Sequence, residues 1–239
     1  MVRCAYHMGM KTLGLLGGMS WESTIPYYRL LNEAVRDRCG GLHSAKLLLA
    51  SIDFAPVEIM MRDGRWSDAG AFLGQTATVL ERAGAEALVL CTNTMHKVAP
   101  AIEAAISIPL LHIVDPTAEA VLAADIGRVG LLATRYTMEA EFYVDRLRQR
   151  GLDPVVPDEA DRVEVHRIIF EELILGRVLD ASRHAYQQII ARLAAAGAQG
   201  VIFGCTEIGL LLKPEESALP VFDTTALHAA YAADWALSN

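Results

Sequence analysis

Two stretches decide the fold: AGAEALVLCTNTMH at residues 83–96 and AGAQGVIFGCTE at residues 196–207. In each, Ala-Gly-Ala ends a helical pattern, a short unbroken apolar run follows, and the run closes on a cysteine and a threonine. A glycine just past a helix permits the left-handed turn that stops it. An apolar run without alternation reads as a strand covered on both faces, as in the parallel sheets of α/β proteins. The two cysteines, Cys91 and Cys205, stand 114 positions apart.

The flanking sequence repeats with them. Gly14-Leu15-Leu16 returns 116 positions on as Gly130-Leu131-Leu132, and Ile108-Pro109-Leu110-Leu111 with Asp115 is echoed by Leu219-Pro220-Val221-Phe222 with Asp223. Three anchors in the same order imply a duplicated unit of roughly 110 residues. Strands are expected at Thr12–Leu16, Lys46–Ile52, Ala87–Leu90 and Pro109–Val114, then again at Val129–Leu132, Pro154–Val156, Gly200–Phe203 and Pro220–Phe222. Helical spacing falls at Glu22–Arg38, Asp68–Ala83, Met138–Arg150, Val163–Leu175, Ala181–Ala196 and Thr225–Leu237. The expected class is α/β: two similar lobes, each a mostly parallel sheet flanked by helices, related by a pseudo-two-fold axis with the site between them. The first lobe is drawn at 10–120, joined by the C-terminal helix 225–237, and the second at 121–224.

Composition narrows the function. The 239 residues carry 21 Lys plus Arg against 29 Asp plus Glu, a net charge of −8. That balance argues against a general nucleic-acid binder, which needs a basic face. The longest uncharged stretch, Leu193–Thr206, is 14 residues and holds three glycines. A membrane span needs about 20 apolar residues, so a soluble chain with no membrane partner is expected. The first residues lack a secretory pattern and read as a short tail, with Met8 or Met10 as alternative starts. Cysteines at 4, 39, 91 and 205 form no CxxC and no zinc-type spacing. Neither a disulfide framework nor a metal site is expected, and the cytoplasm is the expected compartment.

Chemistry concentrates at the two cysteines. Ligands of open α/β sheets bind beyond the carboxyl ends of the strands. Thr92, Asn93 and Thr94 follow Cys91, and Thr206 and Glu207 follow Cys205. These side chains can cap a helix or bond a ligand, and a following helix N-terminus would favour thiolate and a bound carboxylate. Two sulfurs converging from opposite sides of one carbon would suit a two-base proton transfer. Gly17-Gly18-Met19-Ser20 follows the first strand without the spacing of a dinucleotide or phosphate loop. It reads either as a close backbone approach to a small ligand, with Met19 and Ser20 lining the pocket, or as a tight turn into a helix. Tyr136 and Thr137 occupy the comparable place in the second lobe. His96 is expected as a wall or capping residue, His112 as a core histidine. Trp21, Tyr27 and Tyr28 are expected to pack the first helix against its sheet or a partner subunit.

GLLGGMSWEST, CTNTMH, GCTEI and Asp223-Thr224-Thr225 followed by His228 together resemble the aspartate/glutamate racemase family, closest to its aspartate racemase and broad-specificity amino-acid racemase branch. The resemblance covers Met10 to Leu237 and implies a cofactor-independent amino-acid racemase acting on a small-molecule amino acid. It implies Cys91 and Cys205 as the catalytic pair, neither pyridoxal phosphate nor metal, and a homodimer. Glu207 stands where glutamate racemases carry a His. It reads either as an influence on Cys205 protonation or as a helix-start acid. Aspartate-specific relatives hold the distal carboxylate with an Arg from the first lobe and a Lys from the second. Arg62 or Arg65 would supply the first; the second lobe has no Lys between Lys97 and Lys213, so Arg162, His166 or Arg167 would substitute. Alternatives are a related isomerase, decarboxylase or hydantoin racemase on the same cysteines, or a non-catalytic two-lobed small-acid binding protein.

Overall fold

A computed structural model describes residues 9–238. The N-terminal tail before Gly9, Cys4 and the start positions Met1 and Met8 lie outside the described residues. The chain divides into two compact units: residues up to His112 together with those from His228 onward, and Ile113–Leu227.

The first unit runs β1 (Leu13–Gly17), α1 (Trp21–Cys39), β2 (Leu47–Ser51), α2 (Phe54–Arg62), α3 (Trp66–Arg82), β3 (Ala87–Leu90), a 3-10 turn at Thr94–Val98, α4 (Ala99–Glu103) and β4 (Leu110–Leu111). Its four strands are parallel in the order β2-β1-β3-β4. On one face Leu13, Leu15, Ala87 and Val89 pack with Tyr27, Leu31 and Val35 of α1 and with Ala229, Ala232 and Ala233 near the C-terminus. A hydrogen-bond chain crosses this core. The Leu111 carbonyl can only accept, so His228 donates Nε2–H to it at 2.7 Å, leaving Nδ1 to accept from the Tyr27 hydroxyl at 2.8 Å.

The second unit runs α5 (Val114–Ala123), β5 (Arg128–Ala133), α6 (Arg135–Met138), α7 (Glu141–Gln149), β6 (Asp153–Val155), α8 (Glu159–Glu171), α9 (Asp180–Ala195), β7 (Gly200–Gly204), α10 (Ile208–Leu211), β8 (Val221–Asp223) and the start of α11 (Thr224–Leu237). Its strands are again parallel, in the matching order β6-β5-β7-β8. Val129, Leu131, Val201 and Ile202 build its core with Tyr143, Val165 and Tyr186.

The Ala-Gly-Ala repeat has a local physical meaning. Gly84 (φ +103°) ends α3 and Gly197 (φ +91°) ends α9. The next amide reaches back five residues each time: Ala85 to the Leu80 carbonyl at 3.1 Å, Ala198 to the Leu193 carbonyl at 3.0 Å. That bond closes the helix and aims the chain directly into the central strand.

Some expected boundaries move. The division falls at His112/Ile113 rather than at 120/121, because Ile113, Val114, Ala118 and Val121 pack in the second core. Of the expected strand Pro109–Val114 only Leu110–Leu111 pairs with a neighbour, and a helix has begun by Val114. The expected helix Met138–Arg150 is two, with a break before Glu141. Helix α2 was not expected; the Asp53 carboxylate starts it by accepting from Ala55 N at 3.2 Å. Among the described residues no helix is long and apolar enough to cross a membrane.

Candidate active site

Strands β1 and β3 are neighbours, so the loops that follow them open at the same carboxyl edge. Gly18 has φ +92°, and a Cβ there would lie 2.3 Å from the Ile52 carbonyl oxygen; only glycine fits. Gly18 N donates to Thr24 Oγ1 at 2.8 Å, and Thr24 donates in turn to the Ser20 carbonyl at 3.0 Å. Ser23 reaches that carbonyl too, at 2.7 Å. The SWEST sequence thus stitches its own loop, and Met19 and Ser20 are held buried at the edge.

Cys91 extends the β1–β3 ladder by donating its N–H to the Leu16 carbonyl at 3.0 Å. Its thiol is buried and makes a long contact, 3.7 Å, to the Val89 carbonyl. Thr92, Asn93 and Thr94 are buried beside it. His96 donates Nδ1–H to the Thr92 carbonyl at 2.7 Å and stacks 4.4 Å from His112, so it fixes the turn that carries the cysteine. Arg62 stands apart from this group. It lies at the far end of α2, mostly exposed, and pairs with Glu58 at 3.3 Å and Asp63 at 3.8 Å. Arg65 likewise pairs with Asp63 and Asp68. Trp21 and Tyr28, expected to pack, are 59% and 58% exposed, while Tyr27 is fully buried.

In the second unit Cys205 ends β7, between β5 and β8. Its thiol donates to Glu207 Oε2 at 3.0 Å, and the Thr206 hydroxyl donates to the same oxygen at 2.6 Å. Glu207 is 3% exposed, so this carboxylate is a buried acceptor shared by both neighbours. Thr134 and Thr137 follow β5 with hydroxyls 3.3 Å apart. Thr224 follows β8 and donates to the Phe203 carbonyl at 2.8 Å. Asp223 caps α11 through Thr225 N at 2.8 Å, and burial pushes its pKa up.

The expectation that helix N-termini would favour thiolate is corrected. Burial pushes the Cys91 thiol pKa far up. Cys205 is raised by burial first and by the adjacent Glu207 carboxylate next. After Cys91 the chain forms a 3-10 turn, and after Cys205 a helix of only four residues. Neither sums enough aligned peptide dipoles to offset desolvation.

Two of the expected second-lobe cations are already engaged. Arg162 pairs with Glu139 at 3.1 Å, and Arg167 with Glu164 and Glu172 at 2.7 and 2.8 Å. His166 accepts from Arg135 N at 3.3 Å, and burial, with Arg135 beside it, lowers its pKa. The sequence reading passed over Arg135. It is exposed, forms no ion pair among the described residues, and follows β5 by two residues, on the strand next to the one that leads to Cys205. The repeat held the signal: this loop corresponds to the Gly17–Ser20 loop of the first lobe.

Comparison with known proteins agrees with this architecture. A sequence profile of the Asp/Glu/Hydantoin racemase family matches residues 16–232. The chain is 54% identical to a candidate Asp/Glu racemase from Yersinia pestis, with 96% of this chain and 100% of that one superposed at a TM-score of 0.89. It is 33% identical to an aspartate racemase homologue from Pyrococcus horikoshii OT3, over 96% and 100% of the two chains, at a TM-score of 0.82. It also aligns at 23% identity over 222 residues, 90% of this chain and 93% of the relative, with a broad specificity amino-acid racemase of Bacillus subtilis.

Proposed function

The chain belongs to the Asp/Glu/Hydantoin racemase family, and on that premise we propose that it is an amino-acid racemase that interconverts L- and D-enantiomers without pyridoxal phosphate or metal, using Cys91 and Cys205 as its two acid–base groups. The observation that carries this reading is the matched pair of cysteines. Each is buried, each sits at the carboxyl end of the third strand of its lobe, and each is followed by threonine.

Inversion needs one base as thiolate and its partner as thiol, on opposite faces of the α-carbon. Cys205 supplies the base by passing its proton to Glu207, with which it is already hydrogen-bonded. The Cα–H bond then breaks as an S–H bond forms on Cys205. Cys91 delivers its own proton to the other face and is left as thiolate, so charge and protons balance. The reverse reaction runs through the same groups. The carbanionic intermediate places charge on the substrate carboxylate, and preorganised donors there lower the barrier. Thr92, Asn93, Thr94, Thr206 and Ser20 are assigned that part, with Met19 as an apolar wall. Arg135 is the better-placed second-lobe cation for a side-chain carboxylate, and Arg62 would have to leave Glu58 to serve from the first. Aspartate, glutamate or a broader set of amino acids are the substrates proposed, in the cytoplasm, by a homodimer.

The test is incubation of L-amino acids in deuterium oxide, read by α-proton NMR and polarimetry. Wild type incorporates deuterium at the α-carbon while optical rotation decays. Cys91→Ser and Cys205→Ser each lower turnover by about 10²–10⁴-fold, the usual weight of one acid–base group. Full activity in either variant, or no exchange on any amino acid, overturns the reading. Racemisation of hydantoins but not of free amino acids would move the assignment within the family.

A further inference from the structure

We infer that the outer face of α1, together with the edge strand β2, is where a second copy of this chain docks, helix α1 against helix α1 in antiparallel register about Ile25. The inference rests on the homodimer proposed above and adds the surface and its register.

Helix α1 covers one face of the first sheet with Tyr27, Leu31 and Val35. Its opposite stripe, Glu22, Arg29 and Arg36, is polar as an amphipathic helix requires, and the flank between the two should be mixed. Instead Trp21, Ile25 and Tyr28, one helical stripe at i, i+4 and i+7, are 59%, 55% and 58% exposed. Strand β2 is the edge of the sheet on which α1 lies. Leu49 pairs in register with Leu15, so it points to the face that α1 covers, yet it is 48% exposed. It therefore emerges beside the helix. Asn32 fixes that side of α1 toward the approach to β2, since its Oδ1 accepts from Ala45 N at 3.0 Å. Four half-exposed side chains, two of them aromatic, make an apolar patch on the order of 400 Å². That is about half of the roughly 800 Å² that each partner buries in a stable dimer.

The charges on the stripe say which partner fits. Glu22 and Arg29 flank Ile25 at three residues before and four after, on the same side of α1, and among the described residues neither forms an ion pair. Trp21 and Tyr28 flank it at four before and three after. A two-fold axis at Ile25 sets the Trp21/Glu22 end of one helix against the Tyr28/Arg29 end of the other, twice. Each copy then satisfies its partner's unpaired charge across a ring-on-ring contact. Such self-complementarity about a point is the requirement of an isologous interface.

The test is the mass of the full chain by sedimentation equilibrium from low to high micromolar concentration. Wild type is expected as a dimer, and Ile25→Asp as a monomer. Glu22→Arg and Arg29→Glu each place like charges together twice and should weaken the dimer about tenfold; the double variant restores the opposite pairs and should return to within about threefold of wild type. Ile25 and Arg29 are exposed and Glu22 is half-buried, so each variant chain should stay folded, as read by far-ultraviolet circular dichroism. A monomeric wild type overturns both the homodimer and the surface. A dimer indifferent to all three substitutions, or a double variant no better than either single one, overturns the surface alone. α-Deuterium exchange measured on the same samples judges the racemase reading separately.

Discussion

Replacing Glu207 with Gln tests the chemistry at its most specific point. The carboxylate accepts from Cys205 at 3.0 Å and from Thr206 at 2.6 Å, both on Oε2. Glutamine keeps the shape and one acceptor oxygen but removes the charge, so it cannot take the thiol proton. In the proposed mechanism the wild type gains its base by a shift of the thiol proton within the hydrogen-bonded Cys205–Glu207 pair. In the variant the pair is neutral until Cys205 itself ionises, and burial still opposes that. The loss expected near neutral pH is that of a general base, about 10²–10⁴-fold in kcat, or about 3–5 kcal/mol of transition-state stabilisation. KM should change little, since the carboxylate faces the thiol. The distinguishing readout is the pH profile. Variant activity should climb about tenfold per pH unit on the alkaline side as thiolate accumulates, where wild type is flat. The assay is initial-rate α-deuterium wash-in. A variant with more than half of wild-type kcat and an unaltered profile would refute the assignment of Glu207 as proton acceptor.

Two further outcomes follow from the same structure. Gly18→Ala forces a Cβ into a φ of +92° and to 2.3 Å from the Ile52 carbonyl, which should cost at least about 2 kcal/mol in urea unfolding; a loss below about 0.5 kcal/mol would contradict the close approach. The buried thiols also predict alkaline weakening. Their folded pKa values lie above the unfolded value of about 8.5, so their contribution is whole below that pH and is lost as pH rises toward the folded values. The urea midpoint should fall from about pH 8 to pH 10, less steeply in Cys205→Ser, whose hydroxyl does not titrate there.

What the sequence made legible was whatever is encoded locally. Ala87–Leu90 is buried at every position and was bounded without error, because four unbroken apolar residues after a helix stop admit one reading. The central strand of the second lobe was equally plain, as was the presence of a cysteine at each strand end. Helix α2 was not legible: Pro56 stands in its first turn, and only Val57 and Met61 are buried, too few to show a period. Ile113 and Val114 read as strand because they are β-branched and apolar, yet they open a helix whose core partners, such as Tyr143, lie some way along the chain. Charge partners were the least legible of all. Arg62 looked available for a substrate until its bonds to Glu58 and Asp63 were seen, and Arg167 until Glu172 was found beside it.

The repeat also shows where the two halves have parted. Two residues past Cys91 stands Asn93, and two past Cys205 stands Glu207. A duplicated scaffold with identical surroundings would give two cysteines of equal proton affinity. A buried amide donates and accepts hydrogen bonds but holds no proton to exchange; a buried carboxylate can take one. In the proposed mechanism this divergence from amide to acid separates the roles of the two cysteines. In the mechanism proposed, Cys205 becomes thiolate by handing its proton to Glu207, which leaves the net charge of the pair unchanged, while Cys91, buried with its thiol 3.7 Å from the Val89 carbonyl, gives its proton to the carbanion.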